Sequence, residues 1–138
     1  MGVTVLDAGV LIGFLDATDL HHQAAKKALA TTRDNGDRIA LPASAFAESL
    51  VGPARRGKEA VGEVQQFVKR LPIDVIPLDE SIALEAAELR ARHGGQLKLP
   101  DALVVATAHV LDADVLVTTD KDWPSRTKLR LRAKLIQL

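Results

Sequence analysis

Val3-Thr4-Val5-Leu6-Asp7-Ala8-Gly9-Val10-Leu11-Ile12-Gly13-Phe14-Leu15 reads as a strand that turns into a helix at an aspartate. The short β-branched run Val3 to Leu6 favours an extended chain, and Asp7 ends it. Apolar side chains then recur at Val10, Leu11, Phe14 and Leu15, the spacing of one helical face. The same alternation continues outward. A second helix is expected from near His21 to about Thr32, followed by the turn Arg33-Asp34-Asn35-Gly36-Asp37. Ile39 to Leu41 reads as a strand. Pro42 or Ser44 opens a helix through Phe46, Glu48 and Leu50, which Gly52-Pro53 and Gly57 are expected to break.

Another helix is predicted over Lys58 to Arg70, and a third strand over Ile73 to Leu78, kinked at Pro77. Ser81 to His93 is helical up to Gly94-Gly95. Pro100 begins a helix running to about Asp112, and Val115 to Val117 is a fourth strand. In the tail, Arg126, Lys128, Arg130, Arg132 and Lys134 fall on every second position, between Leu129, Leu131, Ala133 and Leu135. That period predicts a fifth strand with one basic face, either an edge guarded against aggregation or a surface for RNA or a partner. Apolar strands alternating with helices place the chain in the α/β class, with a mostly parallel sheet flanked by helices on both faces. No linker or repeat divides residues 1–138, so one domain is expected.

The bulk properties narrow the function. Apolar residues make up 47% and charged residues 26%, which argues against disorder. The chain has no cysteine, so disulfides and thiolate-bound zinc are excluded. Basic and acidic residues number 18 each, so any nucleic acid must be met by a local patch rather than by overall charge. Met1-Gly2-Val3-Thr4 lacks the basic region of a signal peptide, and no apolar run approaches the roughly 20 residues that span a bilayer. A cytoplasmic protein without a membrane partner is the expectation.

Four carboxylates stand in suggestive places. Asp7 and Asp120 follow strands, Asp101 leads a helix, and Glu48 lies one turn into another. Open α/β sheets bind ligands at the carboxyl ends of their strands. Each acid also has an ordinary explanation: Asp7 as a helix cap, Asp101 as a partner of the helix dipole, Asp120 as a turn residue, Glu48 as a solvated charge. Two details favour a site. The helix after Asp101 is apolar nearly all round, and a carboxylate leading a buried helix needs a partner such as a metal. Glu48 lies about 200° around its helix from Phe46, and so is free to face a groove. Oxygen ligands without cysteine select hard cations such as Mg²⁺ or Mn²⁺, which suit phosphodiester hydrolysis. Lys98, three residues before Asp101, is a candidate to steer a phosphate.

The segments Val5 to Ile12, Glu48, Leu99-Pro100-Asp101-Ala102, and Thr118-Thr119-Asp120-Lys121-Asp122-Trp123 together resemble a PIN-domain nuclease, in length and layout a VapC-type toxin of a bacterial toxin–antitoxin pair. The resemblance covers essentially the whole chain. It implies a PIN-like fold and Mg²⁺-dependent endoribonuclease activity, with Mn²⁺ as a substitute. Asp7, Glu48, Asp101 and Asp120 would be the catalytic, metal-binding acids, Asp122 an outer member, and Thr118 a hydroxyl near the substrate. Transfer RNA is a substrate that the family suggests; Arg130 and Arg132 are candidate RNA contacts from the basic tail itself, where the edge-strand reading stays open. The resemblance also implies a VapB-like antitoxin and a homodimer. One departure stands out: the family commonly carries Thr or Ser and another polar residue after the first aspartate, where this chain has Ala8 and Gly9.

Other chemistries fit less well. Adjacent His21 and His22 diverge by about 100° on a helix and cannot share one metal. A phosphatase of the aspartyl-phosphate type would want an acid where Gly9 stands, and a receiver module an acidic pair where Asp7 stands alone. The remaining alternative is a catalytically weak protein of the same fold that binds RNA or a partner without cutting.

Overall fold

A single parallel sheet organises the chain, in a computed structural model that describes residues 2–138. Its strands are β1 (Val3–Leu6), β2 (Arg38–Pro42), β3 (Asp74–Ile76), β4 (Val115–Thr118) and β5 (Lys134–Gln137), in the spatial order β3-β2-β1-β4-β5. β1 pairs Val5 with Ala40 of β2 on one side and with Leu116 of β4 on the other. Parallel neighbours require crossovers, and helices supply most of them. α1 (Ala8–Leu15) and α2 (His22–Asp34) link β1 to β2, and α3 (Ala43–Arg56) and α4 (Lys58–Arg70) link β2 to β3. α5 (Glu80–His93) and α6 (Leu99–Val110) lead to β4. From β1 the chain adds β2 and β3 toward one edge, then returns to the other side of β1 for β4 and β5. The strand order therefore reverses between β1 and β4, which is where open α/β sheets place their ligands.

The core lies on both faces of this centre. Val5, Leu6, Leu41 and Leu116 are fully buried, and α6 buries Ala102 and the run from Val104 to Ala108 against β1, β2 and β4. α5 packs along α6 and contributes Ile82, Ala86 and Leu89. Among the described residues no helix is long and apolar enough to cross a membrane.

Two local expectations are corrected. Gly52-Pro53 does not break α3, which runs on to Arg56 with Pro53 buried inside it. The helix forfeits the bond that a residue 53 N–H would make to Ser49, and packing holds it regardless. Gly57, at φ 125°, is where α3 ends and α4 begins. The buried face of α3 is Ala45, Ser49 and Pro53, with Phe46 only half-buried. The second correction concerns the tail. β5 begins only at Lys134, while Leu129, Arg130 and Leu131 donate to Ser125, Thr127 and Arg126 in a helical turn. The two-residue period survives because Leu129, Leu131 and Ala133 are buried between exposed cations, not because a ladder forms.

Candidate active site

Asp7 leaves β1 in extended conformation, φ −80° and ψ 160°, and caps α1. Its amide donates to Val117 O at 2.9 Å, so the sheet itself fixes its place beside β4. One carboxylate oxygen accepts from the Ala8 amide at 2.8 Å and the other from the Thr118 hydroxyl at 2.7 Å. The same hydroxyl accepts from the Asp120 amide at 3.0 Å. Asp120 in turn accepts from the Asp122 amide at 2.7 Å, and its carbonyl accepts from the Gln137 side chain at 3.1 Å. One threonine at the end of β4 thus ties together the acids that follow two neighbouring strands.

Thr118 is 0% exposed, so its hydroxyl positions Asp7 and Asp120 and cannot meet a substrate directly. That corrects the expectation of a substrate contact there. Asp122 meets Asp120 through its backbone amide, while its own side chain is exposed to solvent.

The other two acids arrive from helices. Glu48 is an exposed residue of α3, and Asp101, partly buried, lies in the first turn of α6. Burial pushes the Asp7 carboxyl above its ordinary range and the charge of Asp120 adds to this, against the bonds from Thr118 and Ala8. Partial burial and the charge of Asp7 raise Glu48. Asp101 is pushed up to about 6 by burial and then by Asp7, Asp120 and Glu48. The indole N–H of Trp123 works the other way, but only weakly, because that buried N–H finds no partner at hydrogen-bond distance. Asp7, Glu48, Asp101 and Asp120 therefore form one electrostatic group around the switch point.

This donor set fits a hard divalent cation. It offers oxygen alone, and its acids raise one another's carboxyl groups with no ion pair to a cation among the described residues. Among the described residues no three His, Asp or Glu side chains close on one point as a finished cage. Mg²⁺ does not ask for a cage, since it keeps several waters and takes one or two carboxylates directly. Glu48 also opens onto a cavity of about 500 Å³ between α1, α3 and α4, lined in part by Ile12, Leu15, Gly52 and Arg56.

Three basic candidates lie differently from one another. Lys98 is the exposed cap of α6, close in sequence to Asp101. Arg130 and Arg132 line a separate cavity near Asp112 and Ala113, at the far end of α6 from the acids, and Arg132 is paired with Asp112. Trp123, at 6% exposure, packs into the core.

The sequence reading missed Thr119. A β-carbon on Gly9 would lie 2.1 Å from the Thr119 hydroxyl, so the threonine side chain occupies the space that any residue at position 9 would need. The gap after Asp7 is thus filled by a hydroxyl from the loop after β4. Nothing in the sequence connects positions 110 residues apart, although a glycine in the first turn of a helix is a hint of close approach.

The PIN domain family model matches residues 4–129. Among solved structures, a toxin–antitoxin complex from Klebsiella pneumoniae is 26% identical, covering 86% of this chain and 88% of that one at a TM-score of 0.67. VapC20 of Mycobacterium tuberculosis, described as a sarcin-ricin loop cleaving toxin, is 20% identical over 86% and 91%, at 0.70. VapBC2 from Rickettsia felis, bound to a DNA fragment from its promoter, is 18% identical over 98% of both chains, at 0.72. The last two likenesses bear on the fold alone. No protein of curated function matches the chain.

Proposed function

We propose, from the premise that this chain belongs to the PIN domain family, that it is a metal-dependent endoribonuclease and the toxin of a VapBC-type pair. The observation that carries the reading is the convergence of Asp7, Glu48, Asp101 and Asp120 at the strand-order reversal, where each of the first three has its carboxyl raised by another acid of the group. Such crowding is costly in a protein selected for stability alone and is typical of sites that handle charge. When bound, Mg²⁺ or Mn²⁺ would offset that charge, admit a phosphodiester and make water a usable nucleophile.

The chain's own residues do the positioning. Thr118 and the Ala8 amide hold Asp7 in one orientation, which leaves each of its oxygens capacity for a further contact. Asp120 is held differently: its backbone amide donates to the Thr118 hydroxyl, and one carboxylate oxygen accepts from the Asp122 amide. Asp101, with its carboxyl near 6, takes up a proton in mild acid, so cation binding competes with protons and strengthens as pH rises. The Thr119 hydroxyl lies over Gly9, and a hydroxyl near Asp7 supports cleavage over binding without cutting.

An antitoxin partner is proposed on the likeness to the Klebsiella toxin–antitoxin complex, with the cavity beside Glu48 as its candidate seat. A homodimer is proposed on the exposed Leu84, Leu99 and Val110 of α5 and α6. The test is cleavage of a pool of structured RNA by the purified chain in Mg²⁺, Mn²⁺ or EDTA, with Asp7→Asn as the contamination control. Discrete fragments made only by the wild type with metal support the proposal, and identical patterns from both proteins contradict it.

A further inference from the structure

Two chain reversals meet at the amino-terminal end of β4. α6 ends through Asp112, at φ 52°, and the helical turn before β5 ends through Arg130, at φ 54°. Both follow the same bonding scheme. Asp112 and Ala113 donate to His109 O and Ala108 O, while Arg130 and Leu131 donate to Thr127 O and Arg126 O. Glycine fits the left-handed position of such an ending at least cost, and aspartate tolerates it. Arginine gains nothing local there, so a reason for it must lie in what its side chain reaches.

Asp112 and Arg130 line one polar cavity of about 210 Å³, together with His109 and Arg132. The other charges around it are committed. Arg132 pairs with Asp112, and Arg126 donates to the carbonyls of Arg132 and Ala133. His109 holds Glu85 at 2.7 Å through Nδ1, and its buried Nε2 has no partner. The Arg130 guanidinium, by contrast, makes no ion pair or hydrogen bond among the described residues. Arg130 also lies within reach of His93, which burial and the charges of Arg92, Arg130 and Lys128 together hold below its ordinary range. His93 ends α5, one short turn before α6 and Asp101.

We infer that Arg130 is held in its left-handed conformation to receive a phosphate oxyanion in this cavity, and that the phosphate belongs to an RNA strand whose scissile bond lies at the acids. The inference rests on the nuclease reading. Asp101 and His109 are eight residues apart on α6, about 12 Å along the axis at 1.5 Å per residue, a span of a few nucleotides. The lining offers guanidinium and imidazole groups with little apolar surface, which suits a phosphate better than a peptide side chain.

Arg130→Gly separates this role from a structural one, because glycine relieves the backbone while deleting the cation. The measurement is binding of a fluorescent single-stranded RNA in EDTA, over a range of salt, alongside thermal melting with and without inorganic phosphate. The variant is expected to melt no lower than the wild type, to bind RNA about 3- to 10-fold more weakly, and to show a log–log salt slope smaller by about 1. Lys27→Ala, on a different cavity, is expected to change none of these. Equal RNA affinity and slope in wild type and Arg130→Gly would overturn the site, as would a large drop in melting temperature. Phosphate that stabilises only the wild type, with RNA bound equally by both, would assign the cavity to free phosphate and overturn the RNA assignment. Wild type that binds no RNA either in EDTA or with Mg²⁺ restored would overturn the nuclease reading itself.

Discussion

The two ends of α6 place ionisable groups under opposite conditions. Its first turn holds Asp101 and its last turn His109, and both placements suit the helix dipole. At the last turn the polar groups find partners: His109 bonds to Glu85, and Arg132 pairs with Asp112. At the first turn the dipole is overruled, since burial and three other carboxylates push Asp101 to about 6. The lesson is that charge alone does not mark a site. Paired charges at one end explain themselves structurally, with Arg130 the exception, while like charges accumulated at the other call for a ligand of opposite sign.

The sharpest way to break this contrast is at the acidic end. Asp101→Asn or Asp7→Asn is expected to reduce metal-dependent RNA cleavage by at least about 100-fold. Circular dichroism should show the fold retained, and near-normal cleavage by either variant would return these acids to the ordinary readings of cap and dipole partner.

The next effect is expected at Gly9. An added methyl must displace Thr119, at a cost of about 1–3 kcal/mol by overpacking, with cleavage reduced about 10-fold. Thr119→Ala in the same chain should recover most of the lost stability. A double-mutant cycle by chemical denaturation checks this, and additive effects would show that the two residues do not share the space.

A gentler probe is pH. The folded-state pKa of Asp101 lies above its unfolded value, so between about 4 and 6 the folded protein binds more protons than the unfolded chain. Stability of the metal-free protein should therefore fall as pH rises through that window and level off above it, with Asp7 and Glu48 acting in the same direction. Asp101→Asn should flatten the fall and melt about 2–4 °C higher in EDTA at neutral pH. Melting curves of both proteins from pH 4 to 8 decide it, and parallel curves would deny the crowding. The smallest effect belongs to the paired end: Arg132→Ala breaks an exposed ion pair and should shift the melting temperature by less than about 1 °C.

Much of this was legible in the sequence because it depends on short-range pattern. The run at Val3 to Leu6 and the helix after Asp101 announce themselves by composition, and the four acids by their positions relative to those elements. Strand order is another matter, since no local pattern says that β4 lies beside β1, yet that neighbourhood brings Asp7 and Asp120 together. Thr118 was legible as a hydroxyl near the site but not as the tie between the acids, because its burial and its bond to Asp7 are products of a pairing across 111 residues. Pro53 misled because its intrinsic cost was outweighed by burial within α3. The tail misled because alternating burial arises in a packed turn as readily as in a strand.

The central claim is that Asp7, Glu48, Asp101 and Asp120 make one cation site at the strand-order reversal. Mn²⁺ binding followed by electron paramagnetic resonance tests it without needing the right RNA. Wild type should bind Mn²⁺ more tightly at pH 7.5 than at pH 5, and Asp7→Asn and Asp101→Asn should each bind at least about 10-fold more weakly. Equal Mn²⁺ binding by the wild type and both variants would contradict the account.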